Sequence, residues 1–86
     1  MTRLRDSQVE TLRAVDTLAG EGAVSTSDVR WYLGASKYSH SQSYRQLRRA
    51  EDEGELTREV LWGGNGIGHA LWDLTQLGRE ALEGQR

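Results

Sequence analysis

Twenty-two consecutive residues, Val29 to Ala50, carry Arg30, Lys37, Arg45, Arg48 and Arg49 without a single carboxylate, in a chain whose net charge is −2 at pH 7. Guanidinium and ammonium groups at this density suit phosphate oxygens, which charge-assisted hydrogen bonds hold firmly. Arginine and glutamine side chains can also pair twice with the edge of a planar base. Gln42, Arg45 and Ser41 lie close enough in sequence to share one such surface. The next nine residues reverse the balance, with Glu51, Asp52, Glu53, Glu55 and Glu59 against Arg58. A small net charge therefore conceals a strongly basic middle segment.

Other chemistries are poorly supplied. The absence of cysteine removes disulfides, thiolate catalysis and the usual structural zinc sites, and two histidines make a poor metal site. No serine has a histidine and a carboxylate placed to form a nucleophilic constellation, so no enzyme and no cofactor are expected. Gly63-Gly64-Asn65-Gly66-Ile67-Gly68 does not match the dinucleotide fingerprint and does not join a strand to a helix, so it reads as a turn. Its exposed-tip Ile67 has no obvious role.

At 86 residues the chain is expected to form a single domain, 1–86. Folds of this size bury only about 60% of their unfolded surface and gain by docking against a copy, so a homodimer is expected. Uninterrupted apolar stretches reach three residues, far short of the roughly 20 that span a bilayer. With no hydrophobic core in the first six residues to read as a signal, a soluble cytoplasmic protein without a membrane partner is expected. No small-molecule effector can be inferred, because the chain offers no separate sensory domain.

The elements that must position the basic segment follow from periodicity and capping residues. Ser7 with Glu10 has the spacing of a reciprocal helix cap, and Val9, Leu12, Val15, Leu18 and Ala19 supply an apolar stripe before Gly20 and Gly22. Ala23-Val24 suits a short extended pair. Ser25 to Asp28 can cap a second helix with Val29 and Leu33 on one face, ending at Gly34. A connecting turn follows, and Ser39 or Ser41 can cap a third helix running to about Glu53, with Gly54 placed for a left-handed exit.

On that helix Tyr44, Leu47 and Ala50 face inward, whereas Arg45, Arg49 and Gln42 fall within about 40° of the point opposite Leu47 at 100° per residue. Ser41 lies beside them, Arg48 and Gln46 flank the outer face, and His40 lies toward the core side. Leu56–Trp62 and Ala70–Leu74 read as two strands of a hairpin. An odd loop pairs Val60 with Trp72 and Trp62 with Ala70 on the buried face, leaving Arg58 facing inward beside Leu74. An even loop pairs Arg58 with Asp73 but splits the apolar set, so the odd register is preferred. Both tryptophans are then expected in the core, while Trp31 points away from it. Thr75 can cap a last helix through about Glu83, anchored by Leu77, Ala81 and Leu82.

This order resembles the winged helix-turn-helix superfamily, especially small MarR-like and PadR-like regulators. Three phrases carry the resemblance: Ser25-Thr26-Ser27-Asp28-Val29, Tyr44 to Leu56 with its Arg48-Arg49 and Gly54, and Trp72-Asp73-Leu74-Thr75-Gln76-Leu77-Gly78. It implies an α+β, mostly α, fold of three helices, a two-stranded wing and a short C-terminal helix. It also implies a DNA-binding transcriptional regulator whose third helix, about 39–53, enters the major groove. Carried onto this sequence, base edges fall to Ser41, Gln42 and Arg45. Phosphates fall to Arg48, Arg49, Lys37, Ser39 and Arg30, with Arg58 and Asn65 from the wing. The wing tip lacks the basic residue common in relatives.

Two alternatives stand beside this reading. Arg48 and Arg49 have the i,i+4 spacing to pair with Asp52 and Glu53 as an ordinary solvated face. The winged fold could also serve as a protein-docking module through Trp31, Ile67 and the acidic 51–59 segment. The dimer contact is open between helix one and helix four.

Overall fold

The computed structural model describes residues 6–20, 22–64, 66 and 68–84. Helix α1 (Asp6–Ala19) is followed by β1 (Val24–Ser25), α2 (Thr26–Leu33), α3 (His40–Asp52), β2 (Leu56–Trp62), β3 (Gly68–Leu74) and α4 (Gln76–Glu83). The strands form one antiparallel sheet in the order β1-β3-β2. The short pair expected near Ala23-Val24 is thus a third strand: Val24 and Ser25 lie opposite Trp72 and Leu71.

The stripe of α1 buries Leu12 and Val15 completely, with Val9 and Leu18 packed at its margin. Ser7 lies inside the helix instead of capping it, and its carbonyl accepts a hydrogen bond from the Thr11 hydroxyl at 2.7 Å. Ala19, expected on the apolar stripe, is exposed. From α2 and α3 come Val29, Leu47 and Ala50, all fully buried against α1, while the sheet contributes Val24, Leu56, Trp72 and Leu74. At roughly 25 cal/mol per Å² of apolar surface removed from water, these contacts hold helices that are too short to persist alone.

Trp72 organises the junction. Its indole Nε1 donates to Thr26 Oγ1 at 2.9 Å in the buried interior, and Tyr44 meets its ring edge-on with centroids 5.9 Å apart. A buried indole N–H without a partner would cost about 1–3 kcal/mol, so Thr26 ties the start of α2 to the sheet.

The hairpin register differs from the expected one by two residues. Arg58 lies opposite Trp72, Val60 opposite Ala70 and Trp62 opposite Gly68, leaving five residues in the loop. A slip of two preserves which face each side chain takes, because strand side chains alternate with period two. The pairing of Leu56 with Leu74, both buried, decides it. One consequence corrects the sequence reading: Trp62 ends its strand beyond the body of the fold and is 73% exposed, whereas Trp72 is the core tryptophan.

The exit from α3 supports α4. Gly54 takes φ 79°, a conformation that L side chains rarely adopt, and its N–H donates to Glu51 O while that of Glu55 donates to Ala50 O. Thr75 then binds this turn twice, its N–H to Glu55 O at 3.1 Å and its hydroxyl to Gly54 O at 2.7 Å, while its Oγ1 also accepts from Gly78 N.

Glu55 itself is 4% exposed, and its Oε1 finds no hydrogen-bond partner among the described residues. Burial first, and the Glu53 carboxyl second, push its pKa above the usual glutamate value. Between the unfolded and folded pKa values the native state binds more protons than the unfolded chain, so this group makes stability fall as pH rises. Glu55→Gln is expected to be more stable than the parent at pH 7, with the difference shrinking as pH falls toward the unfolded value. Urea unfolding midpoints across that range check it, and a parent that is the more stable at pH 7 contradicts it.

Candidate nucleic-acid interface

Two capping boxes set the helix-turn-helix. Ser25 Oγ accepts from Asp28 N while Asp28 Oδ2 accepts from Ser25 N, both at 3.1 Å, which starts α2. Ser39 and Gln42 repeat the arrangement at α3, with Gln42 N donating to Ser39 Oγ at 3.1 Å and Ser39 N donating to Gln42 Oε1 at 2.8 Å. Reciprocal caps of this kind satisfy two otherwise orphaned amides. They also engage groups expected to touch a ligand. Adenine pairing needs both ends of a glutamine amide, and one end of Gln42 is engaged unless the cap opens.

Arg30 serves the turn between the helices. Its Nε donates to Tyr38 O at 2.8 Å and its Nη2 to Ala35 O at 3.2 Å, so the guanidinium closes the segment that follows Gly34. Arg30 thereby braces the turn, satisfying two carbonyls that lie outside both helices. Lys37, three residues after Gly34, is exposed and has no ion pair or hydrogen bond from its ammonium among the described residues.

The outer face of α3 presents Ser41, Gln42, Arg45 and Arg49 to solvent. Arg45 is the arginine of this helix whose guanidinium has no partner among the described residues. Arg48 Nε lies 3.1 Å from Glu51 Oε1, an i,i+3 pair in place of the expected one with Asp52. Arg49 Nε and Glu53 Oε1 are 4.0 Å apart, at the limit of an ion pair. Exposed pairs of this sort contribute about 0–1 kcal/mol and open readily to a stronger anion.

Arg58 is the clearest departure. Its Nη1 donates to the Tyr44 hydroxyl at 2.7 Å and its Nε lies 3.5 Å from Glu51 Oε2. The inward orientation was legible from strand parity, and the two-residue slip sets Arg58 opposite Trp72 and within reach of Tyr44. Tyr44 sits between two cations. The Arg48 guanidinium beside it is the main cause that lowers its phenol pKa, opposed by burial and assisted by Arg58. The nearness of Tyr44, with Glu51 beyond it, in turn raises the pKa of the Arg48 guanidinium. The network links β2 to α3.

The remaining sequence expectations fall as follows. Asn65 and Ile67 lie outside the described residues. His40 is exposed at the first turn of α3, not turned toward the core. Trp31 is exposed, as its helical position indicates. The acidic run does not form one open strip, since Glu51 pairs with Arg48 and Arg58, Glu53 accepts from Gln8 at 2.6 Å, and Glu55 is buried. No group of three or more potential metal ligands gathers among the described residues, and no described helix is long and apolar enough to cross a membrane. Sequence reasoning set Val60, Trp62 and Leu77 toward the core, and all three are exposed. For Trp62 the available signal was its position directly before Gly63-Gly64, at a strand end.

A helix-turn-helix packed on α1, with a β2–β3 hairpin beside its second helix, makes this a winged helix-turn-helix fold. Bacillus subtilis PadR, solved in complex with operator DNA, superposes with a TM-score of 0.76 at 23% identity over 94% of this chain and 47% of that one. Bordetella bronchiseptica BpsR, described for the regulation of its DNA binding by 6-hydroxynicotinic acid, gives 0.68 at 24% identity over 95% and 56%. A mutant MarR from E. coli, complexed with operator DNA, gives 0.68 at 20% over 94% and 52%. The chain therefore spans about half the length of these proteins, and the likeness is one of fold. No protein-family model and no curated protein matches the sequence.

Proposed function

We propose that this chain is a DNA-binding transcriptional regulator of the cytoplasm, associated with the nucleoid, in which α3 enters the major groove and residues 1–86 act as one unit. Arg45 carries the reading. It stands exposed, without a partner among the described residues, on the outer face of a helix whose inner face is buried, with Ser41 and Gln42 in the preceding turn. An arginine there can take the O6 and N7 of guanine together. Lys37, Arg48 and Arg49 supply phosphate contacts around it. Operator DNA bound to PadR and to MarR supports the same assignment. Two protomers would read half-sites about 34 Å apart.

Titration of fluorescein-labelled duplex at several salt concentrations tests the proposal. With Arg30 and Arg58 engaged internally, Lys37, Arg45, Arg48 and Arg49 remain available. The slope of log K against log salt is expected to be negative and no steeper than about −3.6 per protomer, from about −0.9 for each neutralised phosphate. Binding that is absent or indifferent to salt rejects the reading.

A further inference from the structure

Glu51 stands on α3 one turn after Arg48, and a carboxylate on this helix opposes the approach of phosphates. Two arginines share its charge. Oε1 lies 3.1 Å from Arg48 Nε and Oε2 lies 3.5 Å from Arg58 Nε, so two cations against one anion leave the cluster a single positive charge.

The two arginines are held differently. Arg58 projects from β2 opposite Trp72, its side chain is 26% exposed, and its Nη1 also donates to the Tyr44 hydroxyl at 2.7 Å. Arg48 is 42% exposed and lines the same open cleft of α3 as Ser41 and Arg45. Its Nε is buried, yet the approach to Glu51 lacks hydrogen-bond geometry and no other described acceptor replaces it. Arg48 is therefore the arginine that can leave the carboxylate, and Arg58 the one that stays.

When Arg48 turns to a phosphate, Glu51 loses one of its partners while a second anion arrives nearby. A cation that remains on Glu51 offsets that repulsion, and a partly buried pair is screened less by salt than an exposed one. We infer that Arg58 is a positioning residue for DNA binding. By holding Glu51 from the β2 side it releases Arg48 to a phosphate, without touching the duplex itself. The inference rests on the DNA-binding reading of α3 and deepens it by giving Arg58 and Glu51 opposed roles.

The test measures affinity and salt slope of the full chain for a fluorescein-labelled duplex, with thermal melting of each variant. Arg58→Gln leaves Glu51 to Arg48 alone. Binding is expected to weaken about fivefold, the upper range for a partly exposed ion pair, and the slope to become about 0.9 less steep, as for one phosphate contact fewer. Adding Glu51→Gln should restore both, because no carboxylate then retains Arg48. A purely structural Arg58 would change the melting temperature and the fraction of competent protein, but not the slope, which belongs to the folded molecules. Arg58→Gln with the parent slope overturns the inference. So does a double variant that keeps the reduced slope, the behaviour of an Arg58 that contacts phosphate directly. In both cases the salt-dependent binding of the parent leaves the reading of α3 standing. A parent chain that does not bind the duplex rejects that reading and the inference together.

Discussion

Replacing Arg45 with alanine is expected to weaken binding to a duplex selected by the parent chain about tenfold to a hundredfold, while the folding midpoint stays where it is or rises slightly. The magnitude is that of one bidentate arginine–guanine pair, about 1–3 kcal/mol. Stability is spared because the guanidinium makes no hydrogen bond or ion pair among the described residues and alanine is the better helix former. Discrimination between the selected duplex and a mixed-sequence one should fall with it. Arg49→Ala offers the contrast. It removes a charge that lies 4.0 Å from Glu53, so it should weaken selected and mixed duplexes alike. Competition binding against both duplexes separates the outcomes, and an Arg45→Ala variant that keeps its discrimination removes α3 from base recognition.

The second large effect concerns folding. Gly78 lies in the first turn of α4, and a Cβ there would overlap the carbonyl oxygen of Glu55 and approach Leu74 Cδ2 at 2.8 Å. The neighbouring atom is backbone that already accepts a hydrogen bond from Thr75 N, so it cannot step aside without breaking the turn after α3. Intrinsic propensity argues the other way, since alanine favours a helix over glycine by about 1 kcal/mol. Overpacking commonly costs about 1–3 kcal/mol and more where backbone must move, and here it also lifts Leu82 from the core. Gly78→Ala is expected to lower the melting temperature by roughly 10 °C or more, at about 4–8 °C per kcal/mol for a domain of this size. Gly64→Ala, where an added Cβ meets nothing within 4 Å, should leave it unchanged. A Gly78→Ala protein that melts higher than the parent would show that α4 does not dock on Glu55.

These two expectations differ in how far sequence could anticipate them. The outward projection of Arg45 is a matter of helical phase, and phase follows from the burial of Leu47 and Ala50. The glycine at position 78 was visible as a feature of the wing exit and as a weakness in helix propensity. Its necessity arises only because Thr75 draws the start of α4 onto the Gly54-Glu55 turn, a contact between segments about 20 residues apart.

The same division runs through the candidate site. Periodicity and capping residues by themselves determined four helices, the hairpin, the left-handed exit at Gly54 and the outer face of α3, because each depends on residues within one or two turns of each other. Tertiary structure decided which of those polar groups remain free. Arg30 was taken by the carbonyls of the turn, Arg58 by Tyr44 and Glu51, and half of the Gln42 amide by the Ser39 cap. It also placed Trp62 outside the core, through a two-residue shift in strand pairing that leaves every facing direction intact. Alternation reports only which side of a sheet a residue occupies. How far along the partner strand it sits, and hence which hydrogen bonds it can reach, is selected by the joint burial of residues distant in sequence, here Leu56 against Leu74.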